Sequence, residues 1–237
     1  GRRFEAFVGP ELRYSQTPTD AGTIVAEQAP LGVGDFGLVA IRTGLTFDSR
    51  ERAVVAARAD YTKTSFGTDE ASRINGVRLQ ASGFVVPKAW DVDSQYGGLD
   101  GDVAAYLGNP RAHVAVRAGG RKLWGDYAWF DAAHVGGVNN RGYSSRRFSG
   151  DASLFGSASL RVWLGDAGLR VVALRFGLIG FGDVGRVWVD GEDSKTWHSS
   201  LGGGLLVQPL GAPFLLHVIA ANSKEGTRFY FGAGLPY

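Results

Sequence analysis

Residues 152–164 read Ala152-Ser153-Leu154-Phe155-Gly156-Ser157-Ala158-Ser159-Leu160-Arg161-Val162-Trp163-Leu164. Ala152, Leu154, Gly156, Ala158, Leu160, Val162 and Leu164 form one set; Ser153, Ser157, Ser159 and Arg161 dominate the other. Successive Cβ atoms of a strand point to opposite faces, so a period of two predicts an extended strand with one aliphatic face. The run is longer than the ~5–6 residues of an ordinary strand. A strand tilted across a bilayer needs ~9–11.

The same alternation recurs outward from this stretch. Val39, Ile41, Thr43, Leu45 and Phe47 oppose Arg42, Gly44, Thr46 and Asp48. Val55, Ala57, Ala59 and Tyr61 oppose Arg58, Asp60 and Thr62. Val77, Leu79, Ala81 and Val85 oppose Arg78, Gln80 and Ser82, and Ala112, Val114, Val116 and Ala118 oppose His113, Arg117 and Arg121. At the C-terminus Phe229, Phe231, Ala233, Leu235 and Tyr237 share a face against Arg228, Tyr230, Gly232 and Gly234. Strands are predicted near 3–16, 35–49, 52–65, 74–87, 99–108, 112–124, 152–164, 171–187, 196–208, 214–222 and 227–237. One more near 23–30 gives about twelve, the even number that single-chain bacterial barrels carry.

Composition narrows the classes. The chain has 237 residues, 36 of them glycine, with 12% aromatic and 20% charged residues. Globular domains average ~7% glycine and ~25% charged residues. Arginines are scattered singly and the net charge is +2, which argues against a nucleic-acid partner. No cysteine is present, so thiolate metal sites and disulfides are out. Methionine is also absent, and we expect an excised or processed part of a longer protein. No apolar run approaches the ~20 residues of a spanning helix, so a membrane reading rests on strands.

Predicted connections alternate in length. Short ones lie at 107–110, 164–168 and 208–213; long ones at 87–101, 124–151 and 188–196. Short turns at one end and long loops at the other are the asymmetry of an outer-membrane barrel. The fold expected is an all-β, antiparallel transmembrane barrel forming one domain over 1–237, with an inward loop at about 124–151. A soluble β-sandwich with one wet face per sheet is the alternative.

The stretch that alternation does not explain contains Val138-Asn139-Asn140-Arg141-Gly142-Tyr143 and Arg146-Arg147-Phe148-Ser149-Gly150-Asp151. It resembles the inward loop of the BamA/TamA surface-antigen superfamily, with its Arg-Gly-aromatic signature. Ser159-Leu160-Arg161 follows where that family has Glu-Leu-Arg. Gly180-Phe181-Gly182-Asp183-Val184-Gly185 is similar to its Phe-x-Asp strand motif. The stretch from Trp197 to Leu205 is similar to its glycine-rich penultimate hairpin, and the ending Gly232-Ala233-Gly234-Leu235-Pro236-Tyr237 to its C-terminal assembly signal. The resemblance covers roughly 112–237. Residues 185–187 and 223–226 look most like barrels fused to calcineurin-like phosphoesterase domains, with patatin-like proteins carrying a related barrel. The family barrel is 16-stranded, so the chain is either part of such a barrel or a shortened one. Ser159 in place of glutamate removes one acceptor for the loop arginine.

The resemblance implies a bacterial outer-membrane barrel that translocates, inserts or displays protein through a latched lumen loop, and is not an enzyme. The latch residues are Arg141, Gly142, Tyr143, Phe181 and Asp183, with Arg161 as the strand motif and Gly232, Leu235 and Tyr237 in the C-terminal signal. Partners implied are the lipid bilayer, lipopolysaccharide, the barrel-assembly machinery and a fused or translocated protein; no cofactor is implied. Independently, Phe181 and Asp183 are two apart and share the face opposite Leu174, Phe176 and Leu178, which places them inward. A guanidinium meeting a carboxylate there gains charge-assisted hydrogen bonds. We expect Arg141 to reach Asp183 and Tyr143 to stack near Phe181. Ordinary solvated charges are the plain alternative for Arg141 and Asp183.

Arg42, Arg58, Arg78, Arg117, Arg161, Arg175 and Arg228 are expected inside, with Asp48, Asp60 and Asp183 as candidate partners, since charge facing hydrocarbon is costly. His113, His198 and His217 fall on inward positions, without the Asp/Glu spacing of a metal site. Ser144, Ser145 and Asp151 near His134 lack the mutual orientation of a triad. Gly202-Gly203-Gly204 lacks the Lys-Ser/Thr of a phosphate loop and fits a bending strand. The second function class is a structural anchor or narrow pore for an N-terminal hydrolase domain.

Overall fold

The computed structural model describes residues 3–18, 27, 30–50, 75–109, 111–168, 173–210 and 215–233. The long alternating segments form β1 (Arg3–Gln16), β2 (Asp35–Asp48), β3 (Gly76–Val86), β4 (Tyr96–Gly108) and β5 (Ala112–Trp124). After the long loop come β8 (Ala152–Gly168), β9 (Ala173–Trp188), β10 (His198–Pro209), β11 (Leu216–Ser223) and β12 (Gly226–Ala233). They pair in chain order as one 10-stranded antiparallel sheet, with β1 and β12 at its two edges. The loop itself holds a 3-10 turn (Trp129–Asp131) and the short pair β6 (Ala133–Val135) and β7 (Phe148–Gly150).

The strand expected at 52–65 lies outside the described residues, as does nearly all of 23–30. Asp48 pairs directly with Arg78 across β2–β3, and Gln16 with Asp35 across β1–β2. The sheet has ten strands among the described residues, one for each of the other ten expected segments. Loop lengths follow the expected asymmetry with two exceptions. The β2–β3 connection, 49–75, is long at the short-turn end, and β11–β12 turn tightly at Lys224 and Glu225 on the other.

Alternation sets the two faces. Ile41, Leu45, Leu99, Val103, Val116, Leu160, Leu178, Leu205 and Phe231 are exposed on one face. Phe36, Leu38, Phe84, Phe155, Trp163, Ile179, Phe181 and Leu206 are buried on the other. The inner face is thus less polar than expected. Near the long-loop end Phe36, Leu38, Phe84, Val86, Tyr96 and Leu123 pack with Ala128 and Ala133 of the loop. Further along the sheet Trp163, Ile179, Phe181, Leu206 and Ile219 form a second cluster against Tyr230. Each large apolar side chain so buried contributes ~1.5–3 kcal/mol.

The glycines explain how these rings fit. A Cβ at Gly44 would collide with Phe7, at Gly98 with Phe84, at Gly119 with Phe155 and at Gly177 with Trp163. The same holds for Gly202 against Phe181 and Gly232 against His217. On the inner face a bulky side chain lies over a glycine of an adjacent strand. Gly202-Gly203-Gly204 also brings backbone close, since a Cβ at Gly203 would stand 2.8 Å from the Ile179 carbonyl oxygen.

The inner arginines find carboxylates on neighbouring strands. Arg117 pairs with Asp102 at 2.5 Å, Arg121 with Asp100 at 2.9 Å, Arg42 with Glu11 at 2.8 Å and Arg175 with Asp166 at 2.8 Å. This corrects the expected partners. Asp48 is held by Arg50 at 2.6 Å, Asp183 by the loop, and Arg58 and Asp60 lie outside the described residues. Arg161 points inward and is 1% exposed, between His113 of β5 and Ile179 of β9. Arg228 is exposed on the edge strand.

Candidate functional site

The loop 125–151 lies over the inner face and meets the wall at two places. The first centres on Arg141, which is 2% exposed. Its Nε donates to Asp183 Oδ2 at 2.8 Å and its Nη2 to Asp183 Oδ1 at 2.6 Å, a bidentate fork. Its backbone N–H donates to Asp183 Oδ2 at 2.9 Å. Ser157 Oγ of β8 accepts from Arg141 Nη2 at 2.9 Å and donates to Asp183 Oδ1 at 2.6 Å. The guanidinium lies 3.6 Å from the centroid of the Phe181 ring. Phe181 and Asp183 share the inner face of β9 because they are two apart, so one loop residue engages both.

The neighbours of Arg141 complete the attachment. Asn140 Nδ2 donates to the His198 carbonyl at 2.7 Å, and Asn140 Oδ1 accepts from Ser200 Oγ at 2.8 Å. Gly142 has φ +104, a conformation that side chains rarely adopt. A Cβ there would stand 2.9 Å from Ser200 Cβ and 3.2 Å from Ser223 Cβ. Its N–H donates to Tyr230 Oη at 3.1 Å, and its carbonyl accepts from Ser223 Oγ at 2.8 Å.

Tyr143 does not take the place expected beside Phe181. It packs edge-on against Phe148 at 5.2 Å and His198 at 5.8 Å, and its hydroxyl donates to the Ser199 carbonyl at 3.3 Å. The physical reason is that the Arg141 guanidinium already covers the Phe181 face. Gly232 lies on the inner face against His217, while Leu235 and Tyr237 lie outside the described residues.

The second attachment has the opposite polarity, and the sequence reading missed it. Asp131 of the loop is buried, and its Oδ1 accepts from Arg13 Nη1 of β1 at 2.8 Å. Its Oδ2 accepts from Tyr96 Oη of β4 at 2.9 Å. Arg13 also covers the Phe130 ring and pairs with Glu11, which in turn holds Arg42. Asp131 sits in no alternating segment and no motif, so only the three-dimensional arrangement reveals it. Ser157 and Tyr230 were readable as inward positions, but not as partners of the loop.

Between the attachments lies a polar cavity of about 370 Å³. Arg42, Arg117, Arg121, Asp100 and Asp102 line it from the wall, His134 and Asn139 from the loop. Ser144, Ser145 and Asp151 do not converge on His134. Its Nδ1 lies 3.0 Å from Ser149 Oγ across β6–β7. Asp151 accepts instead from Tyr127 Oη and the Asp190 N–H.

Burial pushes the His134 imidazole below its ordinary range, with Arg146 and Arg121 acting in the same direction and Asp131 against them. The docked loop therefore favours the neutral ring, and a released loop takes up a proton more readily. Docking is favoured above the unperturbed value of 6.5 and loses this contribution as pH falls through the lowered one. Asp151, whose burial is outweighed by hydrogen bonds from Tyr127 and the Asp190 backbone, loses its contribution only below its ordinary 3.8. Protection factors over 133–150, which already allow for the slower intrinsic exchange in acid, should fall on mild acidification from pH ~7 to ~5. His134→Gln should flatten that dependence; an unchanged profile in the variant would assign the effect elsewhere.

No protein-family model matches the chain, and no curated protein matches it either.

Proposed function

We propose that this chain is the wall and latched inward loop of a bacterial outer-membrane β-barrel that translocates, inserts or displays protein. The observation that carries the reading is the buried fork between Arg141 and Asp183, which ties a long loop to the inside of a curved wall. It is the contact that the resemblance to the BamA/TamA surface-antigen superfamily implies.

Four features support a membrane wall. β1, β2, β4, β5, β8, β9 and β10 all reach or exceed 12 residues, enough for the ~9–11 that a tilted spanning strand needs. Their outer face is aliphatic, while charges on the inner face are paired. Outer aromatics gather near the ends: Tyr14, Trp124, Trp188 and Trp197 at the long-loop end, Phe4 and Phe231 at the other. Ten antiparallel strands leave β1 and β12 running in opposite directions, as antiparallel closure requires. The same geometry serves a longer barrel to which further strands are added at β1.

A second reading, a structural anchor or narrow pore for an absent hydrolase domain, draws on the loop's apolar packing with Phe36, Leu38 and Phe84. Such packing leaves little open lumen. The two are separated in bilayers of phospholipid and lipopolysaccharide. The chain should resist alkaline extraction, and a photo-crosslinker at Thr46 on the inner face should trap a polypeptide in transit. Crosslinks confined to the chain itself would favour the anchor. Extraction by alkali would overturn the membrane reading as a whole.

A further inference from the structure

We infer that the loop 125–151 is an internal strap joining the two edge strands of the sheet, so that separation of the edges and release of the loop are one event. At its N-terminal end Asp131 holds β1 through Arg13 at 2.8 Å, and β4 through Tyr96 at 2.9 Å. At its C-terminal end Gly142 holds β12 through Tyr230 Oη at 3.1 Å, and Ser223 at the end of β11 at 2.8 Å. Arg147 reaches the β11–β12 turn through Glu225 at 2.7 Å. The sheet order places β1 and β12 at opposite edges, nine strand steps apart through the wall. Through the loop they are joined by a short run of chain from Asp131 to Gly142.

That run is stiffened along its length. β6 and β7 pair to each other, and Val135 packs against Gly185 closely enough that a Cβ there would meet its Cγ1 at 2.6 Å. Arg141, next to Gly142, is fixed to Asp183 at the far end of the run from Asp131. A link in series transmits load only while both ends hold, so cutting either end frees the edges. Two independent local contacts would each loosen only their own edge.

The chain has no cysteine, which allows clean labelling. Val8→Cys on β1 and Phe229→Cys on β12 lie on the outer face and are 76% and 68% exposed. Spin labels there report the edge-to-edge distance in the folded chain, in whichever solvent keeps it folded. Asp131→Asn should broaden the distance distribution. Tyr230→Phe combined with Ser223→Ala should broaden it to the same degree, and joining both sets should add little more. Circular dichroism confirms that the sheet persists in each variant, and Glu225→Gln offers a milder cut at the exposed end. Additive broadening, or an unchanged distribution in both single-end variants, overturns the strap. Failure to insert into lipid would overturn the membrane reading and leave the strap standing.

Discussion

Asp183→Ala should release the loop from the wall at a cost of ~3–5 kcal/mol, the range for leaving a buried charge without its partner. The side chains of Arg141 and Asp183 are 3% and 0% exposed, so little water screens the pair. Arg141→Ala should cost about as much, because Asp183 then keeps only Ser157 as a side-chain donor. The loss falls on loop docking before it falls on the sheet, whose strand ladders do not pass through either residue's side chain. Cleavage of 125–151 by an added protease should therefore rise well before the strands melt. The double variant should behave like either single one, since both remove the same interaction. Fully additive effects would mean that the two side chains serve separate partners.

Ala81→Arg should destabilise the chain in lipid by ~2–4 kcal/mol, the cost of arginine on a lipid-facing position near the midplane of a barrel. Ala81 sits mid-strand in β3 on the outer face, within an apolar trough it shares with Gly101, Ala118 and Gly120. Ser82, its neighbour at the same depth, faces the polar cavity near Asp100. Ser82→Arg meets water and a carboxylate, and should change stability by no more than ~1 kcal/mol. Urea titration of the two variants in the same bilayer makes the comparison. Equal tolerance would remove lipid from the outer face. Arginine at Gly232 is a poorer inner-face control, because a Cβ there already collides with His217.

Much of the wall was legible in residues 39–48, 77–85, 112–121 and 152–164, because a single buried face forces a strict period of two. The Arg141–Asp183 contact was legible because two inward residues and a loop motif converged on it. What escaped depends on register across strands. Asp102 and Arg117 lie on adjacent strands, and their meeting is decided by how the turn at 109–111 aligns β4 with β5. Asp131 reaches Arg13 through more than a hundred residues of intervening chain, with no local signal for it. Phe84 and Val86 sit at positions that alternation assigns inward, on the face where arginines, serines and glycines dominate elsewhere. Their burial follows from the loop filling that end, which the wall sequence alone does not announce.

The glycines beneath the inner rings carry a consequence for how such a chain can vary over time. Gly202 leaves room for Phe181, and Phe181 in turn supports the Arg141 guanidinium. Volume is thus held jointly by two strands, not by either residue alone. Shrinking Phe181 would not let Gly202 grow, because a Cβ there would also collide with the Ala220 carbonyl oxygen, and it would remove the ring under the guanidinium. Gly202 should therefore stay glycine among descendants, whereas Gly177, whose nearest neighbour is the Trp163 ring at 2.8 Å, can trade size with its ring more readily.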